Sequence, residues 1–279
     1  MPISKIKNIV ILILLVANIM LLVLLIPLAR QRQKQQAQAQ EALETLFTQA
    51  GVQLNAGQLP DTRPLYTLEF TPDDSGALPA MQALLGEMVL MEHDSTRYIQ
   101  TYSSAVGSCQ LSRGSVLTAK LQNQEPVADL TKDLSGLLVR MGLEPAGVSA
   151  PQRVRAGVYR LTAVQQMLEV PVFTAAVTAT YENNILTELK GTLYFDTTDL
   201  VRTDDVIGCT AADALVAFLG SRDTLGWVGA TVNEVEQGYC RADTASAAVV
   251  RLVPGWAIYT DTGDFWVNGI TRMVSPLVW

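Results

Sequence analysis

From Ile9 to Ala29 the chain reads IVILILLVANIMLLVLLIPLA, and no other stretch restricts its folding as much. Only Asn18 and Pro27 are not plainly apolar, and 21 helical residues reach roughly 30 Å, the thickness of a bilayer's hydrocarbon core. A secretory signal peptide is the competing reading, but its apolar region is usually about 7–15 residues long, with a small-x-small cleavage site close behind. Here the first such site, Ala37-Gln38-Ala39, comes only after RQRQKQQ. The run therefore predicts a retained single-pass transmembrane helix over 9–29 and a location at the cell membrane. Asn18 is the candidate transmembrane helix contact, because an unsatisfied amide in lipid is costly and pairing with another helix relieves it.

Charge does not orient such a helix, since Lys5 and Lys7 precede it while Arg30, Arg32 and Lys34 follow it. All 27 acidic residues lie beyond position 40, where 15 basic ones face them, a net −12. A domain of that charge has no electrostatic footprint for nucleic acid and is repelled by anionic lipid, so a protein partner suits it better. Three cysteines, Cys109, Cys209 and Cys240, are too few for a disulfide framework. A Cys209–Cys240 bond and buried free thiols both remain open.

The single histidine, His93, sits between acids in MEHDS and rules out a multi-histidine metal site within one chain. There is no CxxC spacing, phosphate-binding glycine loop, GxSxG elbow or dinucleotide fingerprint. The acidic stretch DTTDLVRTDD lacks the glycine and terminal glutamate of a calcium loop and reads as a solvated linker. No catalytic residue, metal or cofactor is expected.

Beyond the apolar run, Leu43, Leu46 and Phe47 recur at helical spacing and Gly51 marks a stop. The remainder of the chain repeats in outline, a helical stretch leading each time into strands. Leu78–Leu90 precedes TRYIQTYSS and GSVLTAKLQ; Val127–Gly142 precedes AGVYRLTAVQQ, PVFTAAVTATYENN and ILTELKGTLYFD; Thr210–Gly220 precedes TVNEVEQGY, ASAAVVRLV and WAIYTDTGDFWVNG. Asn183-Asn184 supplies the turn of an antiparallel hairpin with one packed face. The expected fold class is α+β: an N-terminal transmembrane helix followed by tandem small modules of helix plus antiparallel strands. Its divisions are a short N-terminus over 1–8, the transmembrane helix over 9–29 and a polar linker over 30–40. After these come an α+β region over 41–125, a central module over 126–200 and a C-terminal module over 201–279.

Asp261-Thr262-Gly263 is the tripeptide of aspartic proteases. That chemistry needs two carboxylates sharing one proton, each on its own copy of the loop. The nearest second copy, YFDTTDL, has Thr198 where the glycine should stand. The aromatic and β-branched flanks make a hairpin turn the better account.

Two stretches resemble the YycI and YycH accessory proteins of the cell-wall sensor kinase of Gram-positive bacteria. One is SKIKNIVILILL with the later GVQLNAGQLP; the other is ADALVAFL, then VNEVEQGYC, then AAVVRLVPGWAIYTDTGDFWVNGITRMV. YycI-like domains similarly close with a helix, a strand ending in Gly-Tyr, and a strand through Leu-x-Pro-x-Trp into a hairpin ending in Val-Asn-Ala. Leu252, Pro254, Trp256, Val267 and Asn268 match that pattern, with Gly269 in place of the alanine. The resemblance covers about a third of the chain, and a likeness to PepSY-type modules is of the same kind but weaker. It implies a cytoplasmic N-terminus, an extracytoplasmic C-terminal domain, and no enzymatic activity. A sensor histidine kinase and a sister accessory protein are the implied partners, contacted largely through transmembrane helices; no small-molecule ligand is identified.

Overall fold

The computed structural model describes residues 14, 20 and 38–278, apart from 58, 73–75, 95–97, 114, 123, 196, 198 and 245–248. The chain divides into two compact units, Met1–Leu54 and Asn55–Trp279. In the first, residues 38–49 form helix α1, in which Leu43 and Phe47, four apart on one face, are buried. Gly51, at φ +71°, ends it: Gly51 N–H donates to the Thr48 carbonyl and Val52 N–H to that of Phe47. The short strand β1, Gln53–Leu54, follows.

The second unit begins with β2 (Tyr66–Phe70), α2 (Ala77–Leu85), β3 (Val89–Asp94), β4 (Ile99–Ser104), β5 (Gly107–Ser112), β6 (Val116–Leu121) and α3 (Leu130–Arg140). Next come β7 (Pro145–Val148), β8 (Gln152–Arg155), β9 (Val158–Met167), β10 (Val170–Glu182), β11 (Ile185–Thr192) and β12 (Val201–Val206). It closes with α4 (Ala211–Gly220), α5 (Arg222–Leu225), β13 (Thr231–Ala242), β14 (Val250–Thr260), β15 (Asp264–Asn268) and β16 (Val274–Pro276).

These strands form one mixed sheet in the order β12-β2-β14-β13-β10-β11-β6-β5-β4-β3. β9 lies on β10 and carries β7 and β8, while β15 lies on β14 and carries β16. β10 is the hub. Its far end pairs with β11 through a two-residue turn in which Asn183 and Asn184 take φ of 52° and 65°, as the sequence leads one to expect. Its near end meets β13 in parallel, Val172 opposite Tyr239. Between the two, the register with β9 jumps from Val172–Gln165 to Ala176–Val164, so Phe173, Thr174 and Ala175 bulge out and bend the strand.

The bulge interrupts the alternation of β10 side chains between the two faces of the sheet. Beyond it, Val177, Ala179 and Tyr181 share a core with Met81 and Leu84 of α2 and Leu134 and Leu137 of α3. Before it, Val172 packs with Leu68, Tyr239 and Leu252, and Phe173 turns to a separate cluster with Ala257 and Trp266. Burial of each large apolar side chain contributes about 1.5–3 kcal/mol.

Several expectations are corrected. The regions expected as separate modules share one ladder: β6 pairs with β11, β10 with β13, and β2 with both β12 and β14. Tandem modules are therefore replaced by one continuous mixed sheet, because the strands of each region find their partners in another. No helix among the described residues is long and apolar enough to cross a membrane. The expected transmembrane architecture and the location drawn from it are accordingly withdrawn. Of the apolar run only Leu14 and Met20 are described, both helical; Asn18 lies outside the described residues. Two local readings also change: α2 stops at Leu85 before Gly86, and part of the expected linker is strand β12.

Candidate functional site

The residues that carry the family resemblance gather in one hairpin. Leu252, Pro254 and Trp256 alternate along β14 and so share a face, and Val267 of β15 stands opposite Trp256. All four are buried. Trp256 Nε1 donates to the Cys209 carbonyl at 2.9 Å, tying β14 to the start of α4. That start is a reciprocal cap: the Thr210 hydroxyl accepts from Asp213 N–H, and the Asp213 carboxylate accepts from Thr210 N–H.

Pro254 lacks an N–H, yet it sits in an interior strand. β14 pairs with β2 through Leu252 and with β15 from Gly255 onward, so Pro254 occupies the gap where the partner changes. Asn268 Oδ1 accepts from the N–H groups of Ile270 and Thr271 at 2.9 and 3.0 Å and closes the turn after β15. All five matched residues thus have structural duties.

The departure at position 269 also has a physical reason. A Cβ on Gly269 would lie 2.6 Å from Ile207 Cγ1 and 2.7 Å from the Pro254 carbonyl oxygen. Gly269→Ala is expected to lower stability by about 1–3 kcal/mol, the range for overpacking. Gly269→Ala should cost less in an Ile207→Ala background than in the parent when urea unfolding is compared as a double-mutant cycle, and an equal cost in both backgrounds would mean that the Ile207 contact is not the cause.

Asp261 lies in the turn between β14 and β15. Its Oδ2 accepts from Ala230 N–H at 2.9 Å, and the Thr260 hydroxyl bonds the Gly263 carbonyl across the turn. The carboxylate is thus engaged in holding the loop before β13. Asp196, part of the imperfect second copy, lies outside the described residues. Among the described residues no group of three or more His, Cys, Asp or Glu side chains is placed to hold a metal ion. His93 is exposed on β3.

The cysteines are free and buried, which closes the question of a Cys209–Cys240 bond in this structure. Burial pushes the Cys109 thiol up to about 12, and burial reinforced by Asp213 pushes Cys209 up to about 11. Burial raises Cys240 as well. Thiols so held are protonated at neutral pH and poor nucleophiles.

Glu236 of β13 is half-buried and accepts from the Tyr259 hydroxyl at 3.0 Å. Burial raises its pKa and neighbouring Glu234 adds to the rise, while the Tyr259 hydrogen bond opposes it. A carboxyl whose folded pKa exceeds its unfolded one holds its proton more tightly when folded. Its contribution to stability is therefore present below the ordinary carboxylate range and is lost as pH rises through the raised value. Glu236→Gln should raise Tm relative to the parent as pH increases from about 4 to about 7. A difference in Tm that stays constant over that range would contradict this.

Two further features were not legible in the sequence. At the fork where β11 and β13 diverge from β10, Thr174, Thr192, Tyr194, Arg241 and Asp243 line a cleft of about 390 Å³. Burial pushes the Tyr194 hydroxyl up, and the Arg241 guanidinium beside it pulls it back. At the end of the sheet, β3 pairs only with β4 among the described residues. It exposes Val89, Leu90 and Met91 in succession, 64%, 50% and 67% accessible. Gly86 was the available sign that the helix stops before this run. No family model and no curated protein matches this chain.

Proposed function

We propose that this protein is a non-enzymatic accessory regulator that acts on a sensor histidine kinase by protein–protein contact, with a sister accessory protein as a second partner. The reading rests on the family resemblance. The observation that supports it is the joint placement of Leu252, Pro254, Trp256, Val267 and Asn268 in one capped and buried hairpin, as a shared fold requires. The long sheet serves as a rigid frame whose surface meets the partner, and the partner's output changes only if its two states bind that surface unequally. The test is crosslinking of the full chain in its native cells, with the captured proteins identified. Recovery of a histidine kinase in amounts set by this protein's abundance supports the reading. Its absence while the protein is abundant overturns it.

A module that binds a peptide or a wall fragment, unconnected to any kinase, is the second reading, favoured by the cleft at the fork with its Arg241 and Asp243. Unchanged kinase signalling on deletion of the protein would favour that alternative.

A further inference from the structure

We infer that β3 is a docking edge that takes an extended strand from a partner protein, a short apolar run flanked by lysine or arginine. The inference rests on the reading that the protein works by protein contact, and holds whether or not the partner is a kinase. The terminal strand of a sheet presents unpaired N–H and C=O groups, which natural proteins shield with charge, proline, bulges or a covering element.

The two ends of this sheet differ in that respect. At one end, β12 is charged through Arg202, Asp204 and Asp205, and Arg251 two strands away grips Asp205 at 2.7 Å and Glu69 at 3.4 Å. That end is laced to its own sheet. At the other end, β3 carries neither lysine nor proline; its charges, Glu92 and Asp94, are confined to its second half, and its bulge falls at Met91, where Leu90 pairs with Tyr102 and Glu92 with Thr101, so that Val89 and Leu90 precede both devices. Side chains on both faces of its first three residues are open to solvent. An incoming strand would complete the ladder and cover Val89, Leu90 and Met91 together.

Charge selects the occupant. Glu87 precedes the apolar run, and Glu92 and Asp94 come after it. Opposite charges on facing strands stabilise a pair and like charges destabilise it. A second copy is disfavoured, because it brings the same acids, Glu87, Glu92 and Asp94, with no lysine or arginine between positions 87 and 94 to pair with them. A basic strand meets the acids at both ends of the run.

The test titrates the full chain into a fluorescein-labelled peptide with a Val-Ile-Val centre and two lysines on each side, read by fluorescence anisotropy. A peptide with glutamates in place of the lysines is the control. The lysine peptide should bind about tenfold or more tightly than the glutamate one. The double variant Glu87→Lys/Glu92→Lys, in which exposed side chains alone change, should erase or reverse that preference. Met91→Lys should weaken the lysine peptide about tenfold with unaltered thermal unfolding. Equal binding of both peptides, or binding indifferent to all three substitutions, overturns the inference. So does a concentration-dependent dimer that Met91→Lys abolishes. If crosslinking captures a kinase while β3 variants bind it normally, the edge fails and the regulator reading stands. If the peptides behave as expected but no kinase is captured, the edge stands and the kinase reading fails.

Discussion

Trp256→Ala is expected to lower the stability of the chain by about 3–5 kcal/mol, enough to unfold much of it at 37 °C. Trp256 is fully buried between α4 and the β14–β15 hairpin, so truncation leaves a cavity that neighbouring rings cannot fill. It also leaves the Cys209 carbonyl, just ahead of the helix cap, without the indole N–H. Trp256→Phe separates the two effects. It retains most of the apolar volume and loses the hydrogen bond, and should cost about 1–3 kcal/mol. Urea unfolding followed by circular dichroism measures both. A loss below about 1 kcal/mol for the alanine variant would show that this tryptophan does not fasten the helix to the sheet.

Gly255→Ala should be nearly as damaging, at about 3 kcal/mol, although it adds one methyl group. Gly238 and Gly255 face each other across β13 and β14, and each is roofed by an aromatic ring. Phe173 lies over the first and Trp266 over the second, with ring centroids 5.9 Å apart. A Cβ on Gly255 would stand 2.2 Å from the Val267 carbonyl oxygen and 2.6 Å from Trp266 Cζ2. The first of these is backbone held in a ladder, so β15 itself must shift. Gly147→Ala is the control, with nothing within 4 Å of the added carbon, and should change stability by no more than about 0.5 kcal/mol. Similar unfolding midpoints for the two variants would refute the close-packing account of the glycine pair.

Local structure was the part legible in the sequence. The helical stretch from Thr210 to Gly220 marks α4, and Asn183-Asn184 marks the turn of a hairpin with one packed face. Each signal lies within a few residues of the structure it specifies. The misreadings concern partners far apart in the chain. Nothing near Leu68 shows that it will face Leu252, and nothing near Val172 predicts a parallel neighbour in Tyr239. Repeated helix-then-strand segments look like separate modules until their strands are seen to interleave. The run from Met88 to Met91 is ambiguous for another reason, since a short apolar stretch fits helix or strand equally well by periodicity. In the candidate sites, the turn at Asp261 was legible from its flanks, whereas the cleft and the β3 edge depend on where the sheet forks and ends.

The position of β2 sets a timetable for folding. This strand is made early, but its neighbours on either side, β12 and β14, lie about 130 and about 180 residues further along. During synthesis at about 5–20 residues per second, β2 must stay without β12 for roughly 6 to 26 seconds, and without β14 for longer. Throughout that interval a nascent chain displays Leu68 and Phe70 to the cell, and a chaperone that shields them is expected to raise the yield more than one that acts after release.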